Sequence, residues 1–247
     1  MKRRRLLDLL ALVLVAAAIV AGACFVGYRV RGSWAVRSLP DAMARAQDRP
    51  CSDPAFRRAM VAARLVAGRP SERSDRVMAA ALRTAKMDAT RACVQLDTEM
   101  ALVPGLARRT AEGSAPAREA CLQYLTDSAE FVAAWATDDP SLCATVVPQQ
   151  QLILDALCAL DDPSGLPAVR KLVCHCVPIV AIDAAAYIGR FGEPDDIVVL
   201  SKARERMQKV APHEVVHLVL ISCDRATSSI ETRSEPPRNV AADSLSH

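Results

Sequence analysis

Aromatic side chains make up only 4% of this 247-residue chain: four Phe, three Tyr and two Trp. With 51% of residues hydrophobic, one sizeable core can be buried, but Ala, Leu and Val must fill it. Long alternating runs of β-branched residues between Gly-rich turns are also missing beyond the N-terminus. That absence argues against sheets and, since Ala and Leu are strong helix formers, leaves an all-α fold. Glycine is scarce, nine residues in all. No Gly-rich phosphate-cradling loop and no nucleophile elbow appear, so neither chemistry has a motif to rest on. Residues 119–169 contain no Lys or Arg at all, against eight acids.

What is present begins at the N-terminus. Lys2-Arg3-Arg4-Arg5 and Asp8 precede the uncharged run Leu9 to Tyr28, twenty residues or about 30 Å of helix, the thickness of a bilayer's hydrocarbon core. Cleavable signal peptides have shorter apolar stretches, of about 7–15 residues. Residues 1–30 are therefore expected to be an uncleaved transmembrane anchor, spanning through residues 9–28. The alternative is a lipoprotein acylated at Cys24, on the strength of Ala21-Gly22-Ala23-Cys24. Positive charge on the cytoplasmic side would put the body on the extracytoplasmic, periplasmic face of a cell inner membrane, although Arg29, Arg31 and Arg37 follow the span. Without residues 1–37 the net charge of +3 becomes −3, which excludes nucleic-acid binding by bulk charge.

The body is expected to run from a polar juxtamembrane linker (31–50, with a short helix at 41–47) through helical repeats (51–225) to a disordered tail (226–247). Helical periodicity starts at Phe56 and is stopped by Gly68-Arg69-Pro70, and Ser71 caps the next helix. Further short helices are expected at 88–101, 103–111, 115–126 and 128–136, with later helices beginning at Pro148 and Pro178. Between Pro148 and Asp224 one helix-pair pattern recurs. Leu157, Leu160, Asp162-Pro163, Leu166 and Val169 return 31 residues later as Ile188, Phe191, Glu193-Pro194, Ile197 and Leu200. A third copy starts at Pro212 with Val215, Val216 and Val219. Upstream, Ala120 to Asp127 matches Asp155 to Asp162 at a spacing of 35, with Phe131 for Leu166. Periods of this length made of two helices mark a stacked helical array.

The string from Ile182 to Asp196, rich in small apolar residues and followed by Ile197-Val198-Val199-Leu200, resembles a HEAT-type repeat, in the short form found in bacterial proteins. The resemblance covers residues 115–224 well and 54–114 weakly. It implies a curved, non-enzymatic scaffold for protein binding, with no catalytic residue or cofactor to carry over. The chain departs from tidy arrays in its periods of 31 to 35 residues and in its nine cysteines.

Three constellations could carry chemistry. His213-Glu214-Val215-Val216-His217 spells H-E-x-x-H, in which a helix offers two His ligands to zinc and a Glu that activates water; Cys223 is the third-ligand candidate. Against a metallopeptidase, Pro212 starts the helix immediately before the first His, and the repeat pattern already explains the valines. Cys174-His175-Cys176 lies at a helix end before Pro178, where alternate side chains can converge. It could join His213 and His217 in a zinc site, form a disulfide with Cys143, supply a reactive thiol, or stay as two unlinked thiols. The remaining cysteines permit disulfides, or are small buried apolar residues, as the helical positions of Cys121 and Cys158 suggest. Asp138-Asp139, Asp161-Asp162 and Asp195-Asp196 are turn and capping residues. The charge distribution, +5 over 51–118 and −8 over 119–169, points instead to a protein partner, a basic one. Its contacts are placed at Asp127, Glu130, Asp138 and Asp139. The basic half, nearest the bilayer, would favour anionic headgroups.

Overall fold

The computed structural model describes residues 2–46, 52–84, 92–135, 146–175, 177–209 and 214–234. These residues form an all-α fold of ten helices: α1 (Lys2–Ala46), α2 (Pro54–Ala67), α3 (Glu72–Thr84), α4 (Ala92–Ala111), α5 (Ala115–Trp135), α6 (Val147–Ala159), α7 (Leu166–Leu172), α8 (Pro178–Phe191), α9 (Asp196–Gln208) and α10 (Glu214–Ser234). A 3-10 turn, Pro163–Gly165, joins α6 to α7.

Local chemistry sets the boundaries. Asp53 accepts a hydrogen bond from the Ala55 amide at 2.7 Å and Pro54 opens α2, which buries Phe56, Ala59, Met60, Ala63 and Val66 at three- and four-residue spacing. The hydroxyl of Ser71 accepts from the Ser74 amide at 3.1 Å and so caps α3. Two helices end by the same device. At the end of α4, Gly113 adopts φ +88° while its amide bonds to Thr110 O (2.8 Å) and that of Ser114 to Arg109 O (2.9 Å). At the end of α6, Asp161 takes φ +56°, with Asp161 N to Cys158 O at 3.1 Å and Asp162 N to Leu157 O at 3.0 Å. Both are Schellman turns, in which one left-handed residue satisfies the last carbonyls.

Packing follows chain order. The helices α2, α4, α6, α8 and α10 touch consecutively, as do α1, α3, α5 and α7, and cross-layer contacts join neighbours such as α1 with α2, α4 with α5, and α9 with α10. Among the described residues no substantial contact links helices more than two apart in the chain. The most extensive pairing is α8 with α10, where Gly189 lets the backbone at Ala226 approach; a Cβ there would sit 2.8 Å from the Ala226 Cα. The 31-residue register is matched in burial. Leu157 and Ile188 are both fully buried, Val169 and Leu200 nearly so, and Leu160 with Phe191 and Leu166 with Ile197 are half-buried. Each fully buried aliphatic side chain contributes about 2 kcal/mol.

Four expectations are corrected. Residues 31–46 are the C-terminal third of α1 rather than a polar linker: Ala35, Val36, Leu39, Met43 and Ala46 form a buried stripe, and α1 packs on α2 and α3. The four short helices expected over 88–136 are two long ones, α4 continuing through Pro104 and α5 through Asp127. Consequently the 35-residue match does not hold in space, since Asp127 lies mid-helix while Asp162 follows a helix end; Ser114 occupies the position equivalent to Asp162. Finally, residues 226–234 belong to α10, with Ala226 and Ile230 buried.

Among the described residues no helix is long and apolar enough to cross a membrane. The side chains of residues 2–16, which hold the first part of the expected span, lie outside that description.

Candidate interaction surfaces

The acidic contact residues fall in different settings. Asp127 is exposed on α5 and accepts a hydrogen bond from Gln123 Nε2 at 2.8 Å. Glu130, one turn further, is exposed and pairs with Lys171 Nζ at 2.8 Å. Both thus stand on one face of α5, but Glu130 already has a cation from α7. Asp138 and Asp139 lie outside the described residues.

The H-E-x-x-H string opens α10. His213 lies outside the described residues, as does the side chain of Glu214. His217 is exposed, whereas Cys223 is 1% exposed and packs in the core. Six residues on a helix is about 240° of rotation, so His217 and Cys223 face away from each other. The third-ligand role given to Cys223 is therefore corrected. Burial pushes its thiol up to about 11, opposite to the deprotonation a metal ligand needs. Among the described residues no group of three or more His, Cys, Asp or Glu side chains is placed to share a metal ion.

At the α7–α8 junction Cys176 lies outside the described residues. Burial raises the Cys174 thiol above its ordinary range, and Arg206 only partly offsets this, so Cys174 is not an activated nucleophile. His175 is fully buried, and its Nδ1 accepts from the Val177 amide at 2.8 Å, closing the turn into α8. Burial, reinforced by the Arg206 charge, lowers its pKa to about 4, so the ring is neutral at physiological pH. Cys121 is buried as expected, with its thiol raised to about 11 by desolvation and bonded by Thr110 Oγ1 at 3.4 Å; Cys158 is only half-buried.

Sequence reasoning missed the charged residues that bind successive helix pairs together. Asp75, at the start of α3, is fully buried and receives Arg109 Nε at 3.2 Å and the Ser114 hydroxyl at 2.7 Å. Asp196, at the start of α9, is 1% exposed; Arg170 grips both its oxygens, at 2.6 and 3.0 Å, and the Glu193 amide adds a third bond at 2.9 Å. The Arg170 bonds hold the Asp196 carboxyl below the usual carboxylate range. Asp162 also caps the 3-10 turn through Ser164 N, at 3.0 Å, and meets Arg118 at 3.4 Å. Burial opposes its ionisation, but those partners keep its pKa low. Along one edge, arginines at helix C-termini reach the preceding pair: Arg108 to Ala67 O at 3.1 Å, Arg190 to Asp161 at 2.9 Å, and Arg233 to Gly192 O at 3.0 Å. In sequence each is merely a basic residue near a helix end. Their partners lie 41, 29 and 41 residues upstream, a spacing close to one helix pair.

Together these features define an all-α protein of closely packed helix pairs. Comparison with known protein families, with curated proteins and with solved structures finds no match in any of the three.

Proposed function

We propose that the protein is a membrane-anchored, non-enzymatic scaffold whose body is an irregular HEAT-like solenoid that binds another protein along its helical surface. The observation that carries this reading is the order of packing: among the described residues no substantial contact links helices more than two apart in the chain, and the helices stack in two rows. Such quasi-one-dimensional stacking is the defining property of solenoids, and their extended surfaces suit protein recognition. The matched burial at Leu157/Ile188 and Val169/Leu200 supports equivalent repeats. The anchor rests on the uncharged run Leu9–Tyr28. Exposed Tyr28, the last residue of that run, and Trp34, six residues beyond it, suit the interfacial aromatic belt.

The partner is basic, and it meets the Asp127/Glu130 face of α5 in the stretch that lacks Lys and Arg. The test places a photocrosslinking residue at Gln123, beside Asp127, in the full-length chain in its native membrane. The expected result is one discrete protein adduct, lost in an Asp127→Lys/Glu130→Lys variant of unchanged helicity. No adduct there or at exposed positions of α7 would overturn the binding reading. Extraction of the chain by alkaline carbonate would overturn the anchor.

A further inference from the structure

Directly beyond the expected span, α1 and the α2–α3 turn enclose a cleft of about 540 Å³. Its charged lining is all of one sign: Arg29 and Arg37 from α1, Arg69 and Arg73 from the turn and α3, with Ser33 and Ser71 between them. No carboxylate lines it. The two acids beside it on α3 are engaged elsewhere, Glu72 with Arg76 and Asp75 with Arg109 and Ser114. Arg69 is fixed: Nη2 donates to Tyr28 O at 3.0 Å and to Arg29 O at 2.6 Å, and the guanidinium lies 5.4 Å from the centre of the Tyr28 ring. A Cβ at Gly32 would collide with that guanidinium, so glycine is what admits it. Arg37 and Arg73 are exposed and make no ion pair among the described residues. The first turn of α3, a 13-residue helix, also faces the cleft through Ser71 and Ser74, adding the positive end of a helix dipole.

The position of the cleft decides what anion it meets. At about 1.5 Å per residue, Arg29 to Arg37 stand from about 2 to 14 Å beyond Tyr28 along the helix. The headgroup layer is about 5–7 Å deep on each side of the hydrocarbon core, so the cleft opens within and just outside it. We propose that this cleft binds the phosphate ester of an anionic membrane lipid, the Arg69 clamp pre-forming the site and Arg37 and Arg73 supplying the free guanidinium donors. This rests on the anchor reading above; a soluble phosphate ester is the other source of the same chemistry.

The test uses the full-length chain in bilayer nanodiscs of phosphatidylcholine with or without phosphatidylglycerol, reading lipid retained on the protein by native mass spectrometry. Wild type is expected to retain phosphatidylglycerol at least about tenfold over phosphatidylcholine, and Arg37→Gln/Arg73→Gln to lose that preference while staying in the bilayer. Arg69 is left intact because it holds α1 against α2. Equal retention of both lipids, or a preference unchanged in the variant, overturns the proposal while leaving the anchor standing. Competition by millimolar inorganic phosphate that removes the bound lipid assigns the site to a soluble ligand and overturns the lipid source. Failure of the chain to stay in the bilayer overturns the anchor and this proposal together.

Discussion

Residues 147–208 and residues 92–135 are both Ala- and Leu-rich helical stretches containing prolines, yet they are divided differently. In the first, Pro163 and Pro194 stand in turns that separate helices, and the pattern repeats at 31 residues. In the second, Pro104 is inside α4 and no turn falls until Gly113. A proline's ring removes one donor and crowds the carbonyl four residues back. It ends a helix only when nothing else holds the segment straight. Leu102, Val103 and Leu106, all fully buried, flank Pro104 and hold α4 in place on both sides. Pro163 and Pro194 instead follow acids at helix ends, where Asp161 has already turned left-handed and Gly192 lies at the cap of α8. The lesson is that the helix-ending residue, and not the proline, carries the boundary.

The largest expected effects test whether the two 31-residue pairs are equivalent. Leu157→Ala and Ile188→Ala should each cost about 3 kcal/mol by chemical denaturation, and within about 1 kcal/mol of each other. A much smaller loss at one site would break the equivalence. Next comes pH. His175 is held neutral in the fold at about 4 against about 6.5 unfolded, so the unfolded chain takes up the proton first. Stability is therefore full above about pH 6.5 and falls as pH drops towards 4, by on the order of 3 kcal/mol. In His175→Asn that acid-side slope between pH 6.5 and 4 should shrink.

The ion pairs sharpen the comparison at smaller scale. Arg170→Met strips the buried Asp196 of both its Arg bonds and should cost about 2 kcal/mol, discounted because Arg170 is itself partly exposed. Arg118→Met, by contrast, leaves Asp162 its Ser164 cap and removes a longer pair to a half-exposed arginine. Its cost should be below about 1 kcal/mol. Opposite in sign and similarly small is Pro104→Ala, which restores a helical donor on an exposed face of α4 and should raise stability by up to roughly 1 kcal/mol. A loss there would show that the proline sets the path of α4.

What could be read from sequence divides along the same line. The all-helical class, the cap at Ser71, the helix start at Pro178 and the 31-residue register needed only local pattern, and Leu157 with Ile188 or Val169 with Leu200 agree with it in burial. The packed end of α1 was hidden because Arg31, Arg37 and Arg45 surround the stripe Ala35–Leu39–Met43, and Pro40 reads as a break. The Asp127 match failed because eight similar residues can lie mid-helix or across a turn, and only a left-handed residue such as Gly113 or Asp161 separates the two. The Arg109–Asp75 and Arg170–Asp196 pairs were illegible since neither partner marks the other across 34 or 26 positions. Of the candidate site, the exposure of Asp127, Glu130 and His217 accords with their placement on helical faces, while the burial of Cys223 depends on α10 packing against α8.

The central claim is that stability is passed between neighbouring helices only. Native-state hydrogen exchange on a Val219→Asp variant tests it most directly, because Val219 is fully buried in α10, at one end of the row. Local stacking predicts that amides of α8, α9 and α10 lose protection while those of α2 to α5 keep theirs. An equal loss of protection in every helix would contradict it.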